Sequence, residues 1–323
     1  MNSYNIINYR IRPQKQVERG LIAHLINDFS HSINKPIDYI GMGSLYFTDF
    51  LYFNKNCNLN KMYSIEYMED ENGNYDHMKE RRFLNNKPLS EIQLIPLKTS
   101  EAIPQIPIDS NSFIWLDYDG QFRTCVIDDL EILINKLFST TPINDTLITI
   151  SFNSGSPKEY KCKDGFNIEL CNKDYEQYKL TNDMYNEFTV ENYSSTAIDI
   201  CEKYIIDKIE SNNKICSSNV IFKKLSTIKY KDGANMNTII WSFIDYNNEN
   251  AQKIQNVLES SEISKELINL NMIDLTLYEK QQIDRCEVDN LEEFLTEKGL
   301  KLDDVSKYKR FAKYIPEYTE IFI

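Results

Sequence analysis

The chain has 323 residues, enough to bury a substantial core, and its 41% hydrophobic content is that of a globular protein. A formal net charge of −13 argues against broad nucleic-acid binding, which needs a basic surface. No apolar run approaches the ~20 residues that span a bilayer, and residues 1–13 are polar with no secretory pattern, so a cytoplasmic protein is expected.

The first predicted element is a helix over residues 13–29. Pro13 suits its first turn, where a missing N–H costs nothing. Val17, Leu21, His24, Leu25 and Phe29 form a stripe of helical period. That leaves Lys15, Glu18 and Arg19 largely outside the stripe, and makes His24 a core or edge histidine rather than a catalytic one. A short strand, 37–40, runs into Gly41-Met42-Gly43-Ser44, and an apolar helical stretch covers 45–53. A second strand, 62–65, ends at Glu66. A charged helix over 75–84 leads to a third strand at 92–97. The fourth, 113–116, ends at Asp117-Tyr118-Asp119-Gly120. A strongly periodic helix, 126–138, connects it to a fifth strand, 146–152, which ends at Asn153.

Residues 155–192 are polar and irregular, and read as an insertion or lid over one end of the sheet. A helix over 196–209 returns the chain to the sheet. Two β-branched and aromatic runs, 220–230 and 235–244, are joined by Lys231-Asp232-Gly233-Ala234, a good hairpin signal. From 247 the pattern is helical and acidic, with amphipathic pieces near 251–258, 291–298 and 305–314 and a short terminal strand at 319–323. Strands alternating with helices imply a mainly parallel sheet, and their near-continuous apolar character implies that both faces are covered. The expected fold is therefore α/β and Rossmann-like: five parallel strands closed by an antiparallel hairpin, seven in all. The expected organisation is an N-terminal helical extension (1–35), a Rossmann-like domain (36–246) with its insertion, and a helical C-terminal subdomain (247–323).

Open parallel sheets bind ligands at the carboxyl ends of their strands. There, Gly41 and Gly43 let the backbone approach a ligand, and Ser44 opens toward a helix N-terminus. Glu66, at the tip of the second strand, can accept both hydroxyls of an adenosine ribose. Asp117 and Asp119 form a carboxylate pair suited to general-base work on a hydroxyl; with Asn153 they also make an oxygen-donor set for a divalent cation such as Mg²⁺. Arg10, Arg12, Lys15 and Arg19 are the main basic cluster of an acidic chain, and Arg12, Lys15 and Arg19 are candidates to contact a phosphate or carboxylate of a substrate or cofactor. Salt bridging to the protein's own acids is the competing reading. Tyr46, Tyr52, Tyr63 and Tyr118 could shape an aromatic pocket for a cationic ligand, with simple packing the competing reading. The seven cysteines contain no Cys-x-x-Cys pair, so free thiols are expected. There is no Gly-x-Ser-x-Gly elbow, Walker loop or His-Glu-x-x-His.

This arrangement resembles the class I S-adenosylmethionine-dependent methyltransferases over about residues 36–246. More closely, IGMGSLYFTDF at 40–50, Ser64-Ile65-Glu66 and Trp115-Leu116-Asp117-Tyr118-Asp119 resemble a bacterial family labelled O-methyltransferases. The resemblance implies the fold and S-adenosylmethionine (SAM) as cofactor, held at Gly41, Gly43, Ser44 and Glu66. It also implies a residue after the third strand near the adenine; this falls at Thr99, Ser100 or Glu101, and Ser100 is the candidate. Where these enzymes carry an acid two positions before the first glycine, this chain has Tyr39, with Asp38 one residue earlier. The motif also lacks the aromatic residue followed by two prolines of amino-methylating DNA enzymes.

The leading reading is methyl transfer from SAM to an unknown small or macromolecular acceptor, with O-methylation favoured and Asp117 or Asp119 orienting or deprotonating it. Two other readings stay open. One is a non-catalytic nucleotide-sensing or scaffold protein working with a protein partner in a bacterial stress or antiphage system. The other is a metal-dependent enzyme using Asp117 and Asp119 on a phosphorylated substrate.

Overall fold

A computed structural model describes residues 12–70, 72–162, 165–264, 267–270, 276–285, 299 and 302–315. Helix α1 (Pro13–Ile33) is followed by β1 (Ile37–Met42), α2 (Thr48–Asn56), β2 (Leu59–Ile65), α3 (His77–Asn86) and β3 (Ile92–Ile95). Next come β4 (Ser112–Gln121), α4 (Thr124–Phe138) and β5 (Thr146–Asn153). The insertion contributes α5 (Ile168–Tyr175), and a long helix, α6 (Tyr193–Cys216), leads to the hairpin strands β6 (Val220–Asp232) and β7 (Ala234–Asp245). Helix α7 (Ala251–Ser260), the two-residue strand β8 (Ile268–Asn269), α8 (Leu277–Arg285) and α9 (Leu302–Phe311) follow; short helical turns, and a small ribbon of Lys161–Cys162 with Gly165–Phe166 in the insertion, lie between the larger elements. The expected helix near 291–298, the strand at 319–323, Arg10 and Cys286 lie outside the described residues. The other six cysteines are free.

The sheet runs β8-β6-β7-β5-β4-β1-β2-β3. Strand β7 is antiparallel to both of its neighbours, and the other pairs are parallel. This is the Rossmann-like methyltransferase fold, with its five parallel strands and terminal hairpin. It has eight strands rather than seven, because β8 pairs with the outer edge of β6 at Ile228 and Lys229. The chain winds outward through β2 and β3 and then returns to place β4 on the other side of β1. The switch point therefore lies between β1 and β4, where a crevice opens beyond the carboxyl ends of the strands.

Each face of the sheet has its own core. On one, α4 and α6 pack with the insertion, whose Tyr160, Tyr175, Tyr178 and Phe188 are buried there. Tyr175 and Tyr193 place their hydroxyls 2.9 Å apart, and Tyr193 donates to the Phe122 carbonyl at 2.7 Å. The insertion is thus fastened to α4 and α6. On the opposite face, α1 packs with α2, α7 and Tyr314 over Tyr39, Phe113 and Trp115.

Two expectations need correction. Strand β4 does not end at Asp117 but continues to Gln121, carried by pairing of Asp117 with Ser151 and Gln121 with Asn153. The first turns of α1 are buried all round, Lys15, Glu18 and Arg19 included, while His24 is exposed and meets Tyr314 edge-on at 5.4 Å. A helix that faces a sheet, a neighbouring helix and a cleft buries more than the single stripe that sequence period reveals.

Candidate functional site

A cleft of about 370 Å³ lies at the switch point, lined by residues of α1, β1, α2, β2, α3 and β4 and of the loops between them. From β1 and its exit come Met42, Gly43 and Ser44, and from the end of β2 come Ile65, Glu66 and Tyr67. Strand β4 supplies Asp117, Tyr118 and Asp119, while Thr48 and Asp49 come from α2 and Arg19 from α1. Lys79, Phe83, Leu97 and Thr99 close the side nearest β3. A larger groove of about 730 Å³ follows the face of the β6–β7 hairpin beside α6. The smaller cleft is the stronger candidate, because it sits at the switch point and gathers buried charged groups.

Gly43 is required by close approach. A side-chain β-carbon there would collide with Ser64 Oγ and lie 2.6 Å from Glu66 Oε1. Glu66 is 8% exposed and accepts from Ser64 Oγ at 3.3 Å. Burial pushes its carboxyl well above the usual glutamate value, against the pull of Lys79 and the Ser64 hydrogen bond. Gly41 meets a different neighbour: a β-carbon there would lie 2.7 Å from the Tyr39 ring. Tyr39 thus packs beneath the loop, among Phe50, Phe53 and Phe113. Asp38 lies at the opposite end of the strand and is spent on structure, accepting from Asn60 Nδ2 at 2.8 Å and the Lys61 amide at 3.0 Å.

A buried charged network forms the base of the cleft. Lys15 Nζ lies 2.8 Å from Glu18 Oε2, 2.9 Å from Asp117 Oδ2 and 4.4 Å from the centre of the Trp115 ring. Burial by itself would lower the Lys15 ammonium, but Asp117, then Glu18, carry it well above its ordinary value. Glu18 also accepts from Thr238 Oγ1, whose oxygen is 2.6 Å from Ser151 Oγ, and Ser151 in turn accepts from Trp115 Nε1 at 2.8 Å. Arg19 pairs through Nε with Asp49. Lys15 and Arg19, expected to contact a phosphate or carboxylate, are thus turned onto the protein's own carboxylates, although Arg19 still forms part of the cleft wall. Arg12 precedes α1 and lies outside the cleft.

The structure brings together Gly43, Ser44, Glu66, Asp117 and Asp119. It does not bring Ser100, which is exposed, and Thr99 lines the cleft in its place. Asn153 accepts from the Gly155 amide at 2.8 Å and does not line the cleft. Among the described residues, no group of three His, Cys, Asp or Glu could hold a metal ion. Of the candidate tyrosines Tyr118 lines the cleft; its hydroxyl donates to Asp129 at 2.8 Å. Sequence reasoning missed Thr48, Asp49, Tyr67, Lys79 and Phe83. Only the first two carried a signal, as the opening turn of the helix after the glycine loop.

A family model described as "Putative O-methyltransferase" matches residues 7–323. The chain belongs to that family. No curated protein matches it. Among solved structures, Trm1 from Pyrococcus horikoshii, in complex with S-adenosyl-L-methionine, is similar at 11% identity, with 76% of this chain and 58% of that chain covered and a TM-score of 0.43. This chain therefore spans less than two thirds of Trm1. An O-methyltransferase from Bacillus cereus in complex with SAH is similar at 10% identity, covering 74% of this chain and 84% of that chain, with a TM-score of 0.32.

Two local features of this O-methyltransferase family member fit a ligand seated in the cleft. Gly43 keeps open the space beside Glu66 that a β-carbon would fill. Thr48 Oγ1, on the wall of the same cleft, is buried without a hydrogen-bond partner. Its place on the cleft wall leaves it able to bond a ligand atom.

Proposed function

We propose that the protein transfers a methyl group from SAM to an acceptor oxygen. The observation that carries this reading is the buried Glu66 carboxylate facing the space kept open by Gly43, at the end of β2 in the switch-point cleft. Family membership supports the same chemistry.

When bound, SAM supplies a methyl group activated by its sulfonium. Glu66 accepts the nucleoside hydroxyls, the backbone at Gly43 and Ser44 closes on the ligand, and Thr99 stands near the base. Asp117 is held in place by Lys15 and has its side chain 20% exposed. Asp119 is exposed at the cleft mouth, two residues further along the same strand. It is therefore the better placed of the pair to orient an acceptor hydroxyl or take its proton, while Asp117 shapes the field around the reacting centre.

The acceptor is a small molecule or a macromolecule without the strong positive-surface requirement of nucleic acid. Among the described residues no helix is long and apolar enough to cross a membrane. The same reading places the protein in the bacterial cytoplasm, where its cysteines stay reduced. Incubation with methyl-labelled SAM and a bacterial extract tests the activity. Label passed to an extract component by wild type, and not by Asp119→Asn, supports the proposal; no transfer to any fraction counts against it.

A further inference from the structure

On the reading above, the cleft takes SAM and the acceptor comes to Asp119 from outside its mouth. The groove of about 730 Å³ opens at the same end of the sheet. Ser154 follows β5, Tyr230 and Lys231 lie near the end of β6, and Asn235 and Met236 lie at the start of β7. Strand register sets the distance from the reacting centre. Gln121 of β4 pairs with Asn153, Asn153 with Met236, and Met236 with Tyr230. At about 4.8 Å per strand, the groove begins about 10 Å from β4, and β6 with Lys231 lies roughly 14 Å from it. Lys15 touches both sites, 3.3 Å from Tyr230 Oη and 2.9 Å from Asp117 Oδ2.

The groove is polar, and its free charge is positive. Lys224 pairs with Glu202 at 2.9 Å, and Asp199 with Lys203 at 3.5 Å. Lys229 and Lys231 are exposed and make no ion pair among the described residues, against one such acid, Glu191. Two apart on β6, the lysines point to the same face, opposite Asn237 and Asn235 of β7. Asn237 Nδ2 donates to Ser194 Oγ at 3.1 Å and so joins the hairpin to α6 across the groove. Tyr230 is the one aromatic residue among those lining it, and its hydroxyl is turned to Lys15.

We propose that this groove binds the acceptor, an elongated, hydroxyl-rich molecule whose carboxylate or phosphate is held by Lys229 and Lys231. The inference rests on the methyl-transfer reading and deepens it by naming the substrate class. The charged group lies roughly 14 Å from the oxygen that is methylated, the span of three strand spacings. A single flat ring does not cover that distance, and finds no aromatic face here to stack on. Two lysines match one anionic group, whereas a nucleic-acid backbone needs a longer basic stripe. In the transfer the acceptor oxygen bonds the methyl carbon as the carbon–sulfur bond breaks. The electron pair stays on the sulfur of S-adenosylhomocysteine (SAH), and Asp119 takes the proton.

The test follows methyl label from SAM into a bacterial extract, with calorimetric titration of SAH alongside. Wild type is expected to label material that an anion exchanger retains at neutral pH. Lys229→Glu/Lys231→Glu is expected to cut that labelling about tenfold or more, the scale of lost hydrogen bonds to a charged group, with SAH affinity within about twofold. Lys229→Arg/Lys231→Arg keeps both charges and is expected to keep most of the labelling. Phosphatase separates the two sources of charge: product it releases from the exchanger carried a phosphate, and product still retained carries a carboxylate. Wild-type labelling by the glutamate variant overturns the proposal, as does label found only in unretained or protease-sensitive material. Equal losses in the arginine and glutamate variants overturn it too. If the double variant does not fold, Lys231→Glu alone is held to the same outcomes. A wild type that binds SAH but labels nothing overturns this inference and leaves the cofactor site standing. A wild type that binds no SAH overturns the cofactor reading, and this inference with it.

Discussion

Lys15, near the start of the first helix, places its ammonium 2.9 Å from the carboxylate of Asp117, midway along β4. The contact ties α1 to the sheet beside the switch-point cleft, and Glu18, Thr238 and Ser151 extend it to β5 and β7. The N-terminal helix is therefore part of the site's foundation. Lys15→Met leaves Glu18 and Asp117 facing each other without their cation, and is expected to destabilise the protein by about 3–5 kcal/mol, the usual cost of breaking a buried pair. Urea unfolding measures this, and an unchanged midpoint would mean that the network is structurally idle.

Gly43→Ala should act on binding more than on folding. The new methyl meets Ser64 and Glu66, and moving the Glu66 side chain is the available relief. Cofactor affinity is expected to fall by about tenfold or more, on the order of one lost charged hydrogen bond. Gly120→Ala is the control, since nothing lies within 4 Å of a β-carbon there. Equal affinity in the two variants would remove Gly43 from the site.

Asp119→Asn is expected to leave SAH binding within about threefold and to reduce methyl transfer by about a hundredfold or more, the usual contribution of a general base. Asp117→Asn should behave similarly toward SAH, but should also lower stability through its lost pairing with Lys15. Full transfer by both variants would exclude the carboxylate pair from the chemistry.

Asp145 gives a pH signature separate from the site. It accepts from the Asp245 amide and from Asn248 Nδ2, each at 3.0 Å, yet burial raises its carboxyl from 3.8 to about 6. Between those values the folded protein binds more protons than the unfolded chain, so this group's contribution is full below pH 3.8 and lost as pH rises toward about 6. Asp145→Asn is expected to flatten that part of the stability profile. A profile identical to wild type would mean that Asp145 titrates normally.

Much of the fold was legible because its signals are local. Apolar runs gave the five parallel strands, Asp232-Gly233 gave the hairpin turn, and a glycine loop followed by Glu66 gave two neighbouring walls of the switch-point cleft. What escaped depends on distant partners. Lys15 and Arg19 read as ligand contacts or as partners of the protein's own acids, and only the arrival of Asp117 and Asp49 from other elements decides for the second. Asp117-Tyr118-Asp119-Gly120 has the composition of a turn, and pairing with β5 holds it as strand. Strand β8, with two residues, is too short to carry any period.

The central claim is that Glu66 holds the nucleoside of SAM, and calorimetric titration of wild type and Glu66→Ala with SAM and SAH tests it most directly. Micromolar binding to wild type, lost in Glu66→Ala, is the predicted result. Because burial raises the Glu66 carboxyl, binding should also weaken on acidification at a pH above the usual glutamate range. Wild-type affinity in Glu66→Ala, or no binding of either compound to the native protein, would contradict the account.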